Sequence, residues 1–145
     1  MYLPVLSGAT ATNGVPSAAT AGVAIKPAGG LNLPGNGLPD KNSEFDDAFV
    51  KAWSTAGTAG TMSATIRMWG YDANAGKWFP LGAAGTDNTK KGWLFNATAL
   101  SENTASGGQI SHVELMRGLS AFTRVYAEVV AIAGAANMSV ALERH

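Results

Sequence analysis

Cysteine is absent from all 145 residues. That removes disulfide frameworks, thiolate nucleophiles and Cys-ligated zinc together. Charge is scarce as well: ten basic and ten acidic side chains cancel, and charged residues make up 14% of the chain, against roughly 25% in an ordinary soluble protein. No basic face stands out, which argues against nucleic acid and against electrostatic attachment to membranes as partners. Long apolar runs are missing too. No window approaches the roughly 18 residues of a membrane span, and the opening MYLPVLSGATATNG has neither the basic region nor the apolar stretch of a secretion signal. The expectation is a soluble protein made in a cytoplasm. A surface with so little charge suits a protein that works inside an assembly.

Apolar residues are 46% of the chain, enough for the core of one domain. Their distribution divides the sequence. Residues 1–40 hold five of the six prolines and seven of the eighteen glycines, with Lys26 and Asp40 as their only charges. This stretch has no helical period and few large side chains, so by itself it cannot offset the entropy of being ordered. Short apolar groups recur along it: Leu3, Val5 and Leu6, then Val23 and Ile25, then Leu31 and Leu33. They fit an extended N-terminal arm over residues 1–43 that lies on a neighbouring subunit. A long edge loop of the domain itself, or a linker, fits the same composition.

From residue 44 to 145 the pattern is that of a β domain. EFDDAFVKAW is ambiguous between a helix face and a strand, and the β character downstream favours a strand over Ala48–Trp53. In TMSATIRMWGY, Met62, Ala64, Ile66 and Met68 alternate with Thr65, Arg67, Trp69 and Tyr71, a period of two that predicts a strand with the Met/Ala/Ile side inward. DANAG, leading to KWFPLG, reads as a glycine-containing hairpin loop, with Asp72 and Asn74 bonding their own backbone and Gly76 at positive φ. Asp72, Asn74 and Gly76 also echo the start of a calcium loop, but the glycine is one residue early and no glutamate follows at the needed spacing. GWLFNATAL, ISHVELMRGL, AFTRVYAEVVAI and MSVALER read as further strands. SENTASGGQ and AGAAN are turns, and the last two strands are expected to form a hairpin. The fold class is therefore all-β, an antiparallel β-sandwich or barrel-like domain with an extended N-terminal arm.

Little in the chain points to catalysis. Of two histidines, His112 shares a strand face with Glu114, but no nucleophile or third member accompanies them, while Ser111 points to the opposite face. Plain hydrogen bonding explains the pair as well. The glycine-rich GGLNLPGNG lacks the Gly-Lys-Ser/Thr of a phosphate loop. No catalytic residue, metal ligand or cofactor is expected. Partner contacts are the better prospect: Trp69, Tyr71 and Trp78 gather around one hairpin, and Arg124, Tyr126 and Glu128 share a face of the long strand, where Arg and aromatic residues favour an interface. Simple packing and weak cross-strand ion pairing account for the same residues. Trp53 and Trp93 fit the core or a rim.

IRMWGYDANAGKWFPLG, GWLFN and SHVELMRGLSAFTRVYAEVVAIAG together resemble, over about residues 60–135, small structural proteins of tailed bacteriophages. The resemblance implies a non-enzymatic virion component on the capsid surface. The nearest role is a capsid decoration (cement) protein that binds the major capsid protein and forms a homotrimer. A fibre or adaptor component, or a carbohydrate- or receptor-binding module, is the alternative.

Overall fold

Alternation of small apolar and polar side chains sets the strands. The structure, a computed structural model, describes residues 2–25, 47–81, 98–103, 108–116 and 118–143. Among these residues nine strands follow in order: β1 (Tyr2–Ala9), β2 (Val23–Ala24), β3 (Ala48–Ser54), β4 (Ser63–Asp72), β5 (Lys77–Pro80), β6 (Thr98–Asn103), β7 (Gln109–Met116), β8 (Arg124–Ala133) and β9 (Met138–Glu143). A 3₁₀ turn at Leu119–Ala121 leads into β8. The strands form one antiparallel sheet in the order β1-β9-β3-β7-β6-β4-β8-β2, with β5 also paired to β4. The sheet curls into a nearly closed, barrel-like shape.

The inward face expected for β4 is the observed one, and β3 turns its small residues to the same core. Ala48, Val50, Ala52 and Ser54 of β3 are buried, as are Ala64, Ile66 and Met68 of β4. They meet Ile110, Met116, Val125, Val129, Val140 and Leu142 in a single core. Phe49 is 37% exposed, on the face of β3 opposite Val50, so the strand reading of AFVKAW holds and the helical spacing of its aromatics does not. The ladder ends are closed by side chains. Ser54 Oγ accepts from the Ile110 N–H at 2.9 Å, and both Glu102 carboxylate oxygens take backbone N–H groups of the β3–β4 connection, Gly60 and Met62, at 2.8 Å. Those bonds hold the Glu102 carboxyl below the usual carboxylate range.

DANAG is the bend between β4 and β5. Asp72 Oδ1 accepts from the Asn74 and Ala75 N–H groups, Asp72 O accepts from Gly76 N, and Gly76 sits at φ 64°. The carboxylate is committed to its own turn, as an Asx turn requires.

Two expectations change. β8 and β9 do not form a hairpin: β8 pairs with β4 and β2, whereas β9 pairs with β1 and β3. Gly134 to Asn137 therefore carry the chain across the core, and Thr58 N bonds Gly134 O while Thr55 N and Ala56 O bond Asn137, which fixes the arch. β6 also runs on through Ser101, Glu102 and Asn103, residues assigned to a turn from their polarity. Pairing of Glu102 and Asn103 with Ile110 and Gln109 keeps them extended.

The N-terminal region is part of this sheet over the described residues. β1 is the end strand on β9, and Pro4 is tolerated there because an end strand leaves one set of N–H groups unpaired. Leu3, Val5, Leu6 and Val23 pack against the core, and Ile25 is buried within it. The boundary expected at residue 43 lies outside the described residues. Leu31, Leu33, Phe45, Trp93, Arg117 and His145 lie outside the described residues.

Candidate functional site

β4, β5 and β8 present one continuous outer patch, because alternation puts Arg67, Trp69 and Tyr71 of β4 and Arg124, Tyr126 and Glu128 of β8 on the side away from the core. Register places Arg67 opposite Glu128, Trp69 opposite Tyr126 and Tyr71 opposite Arg124, with Trp78 beside Tyr71 from β5. The sheet therefore brings together five residues expected to bind a partner: Trp69, Tyr71, Trp78, Arg124 and Tyr126.

Their contacts are specific. The Arg124 guanidinium lies 3.9 Å from the Tyr71 ring centroid and 5.3 Å from that of Trp78, close enough for cation–π attraction to both. Trp78 meets Tyr71 and Tyr126 edge-on, at 5.3 and 6.1 Å between centroids. Glu128, only 6% exposed, accepts from Trp69 Nε1 at 2.9 Å. Arg124 is directed to backbone oxygens.

Those oxygens belong to the chain's own N-terminal segment. Tyr126 Oη donates to the carbonyls of Asn13 (3.2 Å) and Gly14 (3.1 Å). Trp78 Nε1 donates to Ser17 O at 2.9 Å. Arg124 Nη1 donates to Thr20 O (3.2 Å) and Ala21 O (3.0 Å). Three side chains thus hold five backbone carbonyls between residues 13 and 21. At either end of this strap the chain joins the free edge of β8. Asn13 inserts its side-chain amide there, Nδ2 donating to Ala127 O at 2.9 Å and Oδ1 accepting from Val129 N at 2.7 Å. Val23 and Ala24 pair with Val125 and Arg124, and Ile25 N bonds Thr123 O. Gly22 makes the return possible: a Cβ there would lie 2.7 Å from the Trp78 ring and 2.8 Å from Val125 O.

The patch is a clamp on the chain's own extended segment. It reads main-chain carbonyls and one amide side chain, and residues 10–15 and 17–19 remain exposed over it. Burial, with Glu128 adding to it, raises the Tyr126 phenol above its ordinary value. Asn13, Ser17 and Gly22 escaped the sequence reading because nothing marks them within a Gly/Ala/Ser/Thr run.

The patch fits a sugar platform poorly. Arg124 stands over the Tyr71 ring, and the indole N–H of Trp78 is already bonded, whereas a stacking sugar needs an open aromatic face with nearby polar groups unoccupied. On the inner face of β7, His112 Nε2 and Glu114 Oε1 are 2.7 Å apart, so the pair is an in-strand contact, and Ser111 does point away from it. Among the described residues no three His, Asp or Glu side chains gather as a metal site would require. No family model, curated protein or solved structure matches this chain.

Proposed function

We propose that the chain is a non-enzymatic structural protein of a virion, a capsid decoration (cement) protein that binds the major capsid protein on the head surface and acts as a homotrimer. The observation that supports this reading is the strap: an extended segment held by its backbone, over a domain whose side chains offer donors to carbonyls. Such a segment can be handed from one protein surface to another with little dependence on sequence, which suits a protein that ties subunits together. Low surface charge and exposed Tyr2, Phe49 and Val113 on the β1–β3–β7 side agree with a surface to be covered by neighbours. A fibre or adaptor component is the alternative within the same class.

The test is co-sedimentation of the purified protein with phage heads that lack it. Saturable uptake and a higher melting temperature of the heads are expected. Heads that neither bind the protein nor gain stability would overturn the decoration role. Removal of residues 1–38 is not a clean probe, because it deletes β1 and β2 from the sheet; side-chain changes in the clamp are.

A further inference from the structure

The residue that locks the strap to β8 is followed by glycine. Asn-Gly occurs at 13–14 and again at 36–37, and the second lies outside the described residues. Of all asparagine dipeptides it is the one most prone to lose ammonia. Glycine has no side chain to hold its nitrogen away from the preceding side-chain carbon, so the Gly14 nitrogen has a short path to Asn13 Cγ. Both residues are exposed, which gives solvent access to them. We propose that Asn13–Gly14 is a self-modification site: deamidation of Asn13 is held off while the strap is docked and, once it has occurred, unlocks the strap for good. The inference rests on the geometry of the strap and is independent of the decoration role.

The reaction needs only water. Hydroxide takes the Gly14 amide proton, the nitrogen attacks Asn13 Cγ, and a succinimide ring closes as the Cγ–Nδ2 bond breaks. Ammonia leaves with a proton from water. Water then opens the ring at either carbonyl. Cleavage between the nitrogen and Cγ leaves aspartate, and cleavage between the nitrogen and the main-chain carbonyl carbon leaves isoaspartate. The docked strap opposes ring closure in two ways. Asn13 Nδ2 is held by Ala127 O at 2.9 Å and Oδ1 by Val129 N at 2.7 Å, so Cγ is fixed between them. The planar peptide that carries the Gly14 nitrogen is pinned through its own carbonyl, because Tyr126 Oη donates to Asn13 O at 3.2 Å, and to Gly14 O at 3.1 Å. Closure turns the side chain and that plane toward each other, so these bonds must open first. Neither product restores the lock. Aspartate has no N–H for Ala127 O and sets a charge against that carbonyl. Isoaspartate also lengthens the backbone by a methylene, which moves the carbonyls that follow out of step with Tyr126, Trp78 and Arg124.

The test ages the full chain in mildly alkaline buffer and follows acid formation at Asn13 by peptide mapping in a mass spectrometer. Every sample carries Asn36→Gln, which removes the second Asn-Gly dipeptide. The same chain aged unfolded in guanidinium chloride gives the unguarded rate. The folded protein is expected to convert about tenfold more slowly, or slower still, since two hydrogen bonds to the side chain must open first. Tyr126→Phe is expected to convert several-fold faster than its parent. Equal rates in the folded and unfolded chains would overturn the guarding role of the strap. An unfolded chain that converts no faster at Asn13 than at Asn137, which precedes methionine, would overturn the site itself. Chain converted in guanidinium chloride is then refolded beside unconverted chain taken through the same cycle, and amide exchange is compared. Loss of protection over residues 13–21 and at Val129, with β3 and β9 still protected, is expected of the converted form. Full protection of residues 13–21 in that form would overturn the release. None of these outcomes depends on heads, so the modification and the decoration role can fail separately.

Discussion

Asn13 Oδ1 accepts the Val129 backbone N–H at 2.7 Å, across 116 residues of sequence. With the Nδ2 bond to Ala127, one side-chain amide supplies the donor and acceptor that a neighbouring strand would have offered to β8. Asn13→Ala removes both bonds and should cost about 1–3 kcal/mol. Asn13→Asp keeps the acceptor but sets a carboxylate against the Ala127 carbonyl. We expect hydrogen exchange at the Val129 amide to accelerate strongly in Asn13→Ala and less in Asn13→Asp. Equal protection of Val129 in all three proteins would contradict the bridging role.

Tyr126 links strap stability to alkaline pH. Its folded pKa lies above the unfolded value of about 10, so the neutral phenol is favoured by folding. That contribution is fully present below the unfolded pKa and is lost as pH rises through the folded one. Tyr126→Phe should speed amide exchange in residues 13–21 several-fold at pH 7 and flatten the alkaline fall in stability. An unchanged alkaline limb in urea titrations would refute this.

Glu102 acts at the other end of the scale. Its folded pKa is depressed by the Met62 and Gly60 N–H groups, so its contribution is present above the unfolded value and is lost as pH falls through the folded one. In Glu102→Gln the acid limb of the urea midpoint between about pH 5 and pH 3 should be shallower. Parallel limbs in the two proteins would remove the carboxylate from the account.

The Trp69–Glu128 bond is testable by asymmetry. Trp69→Phe leaves a buried carboxylate without its donor and should cost about 2–3 kcal/mol, because hydrogen bonds to charged groups are the strong ones. Glu128→Gln preserves an acceptor and lowers the charge, so it should cost less. The order of the two urea midpoints decides.

Gly134 marks where the chain crosses between the two halves of the barrel. It sits at φ 70°, and a Cβ would fall 2.4 Å from Thr61 O. Gly134→Ala should lower the melting temperature far more than Gly60→Ala, where φ is 87° but nothing lies within 4 Å, so only backbone strain of about 1 kcal/mol applies. Similar losses at both sites would show that the close approach is not decisive.

The strands were legible because alternation is a local property. Met62 to Met68 declare their inward face without reference to any partner, and Asp72 to Gly76 declare their bend in the same way. Pairing is not local. AGAAN states that the chain reverses, but not whether it returns beside β8 or across the core. A clue was present in MSVALE, whose first five residues are all buried: a run that abandons polar alternation is covered on both faces, which a peripheral hairpin strand would not be. The candidate site was half legible. Aromatic and Arg residues on one face could be grouped from their spacing, whereas the segment that lies on them could not, since its grip is on carbonyls that every residue carries.

The place of β9 between β1 and β3 has a consequence for synthesis. β1 emerges from the ribosome long before β9, the strand it pairs with among the described residues; Gly8 and its partner Ser139 are 131 residues apart. Until β9 is made, β1 has no ladder to join and one edge of β3 stays open. A nascent chain with an unpaired apolar edge is vulnerable to strand addition from its neighbours on the same polysome, and the sparse, proline-broken β1 is a poor template for it.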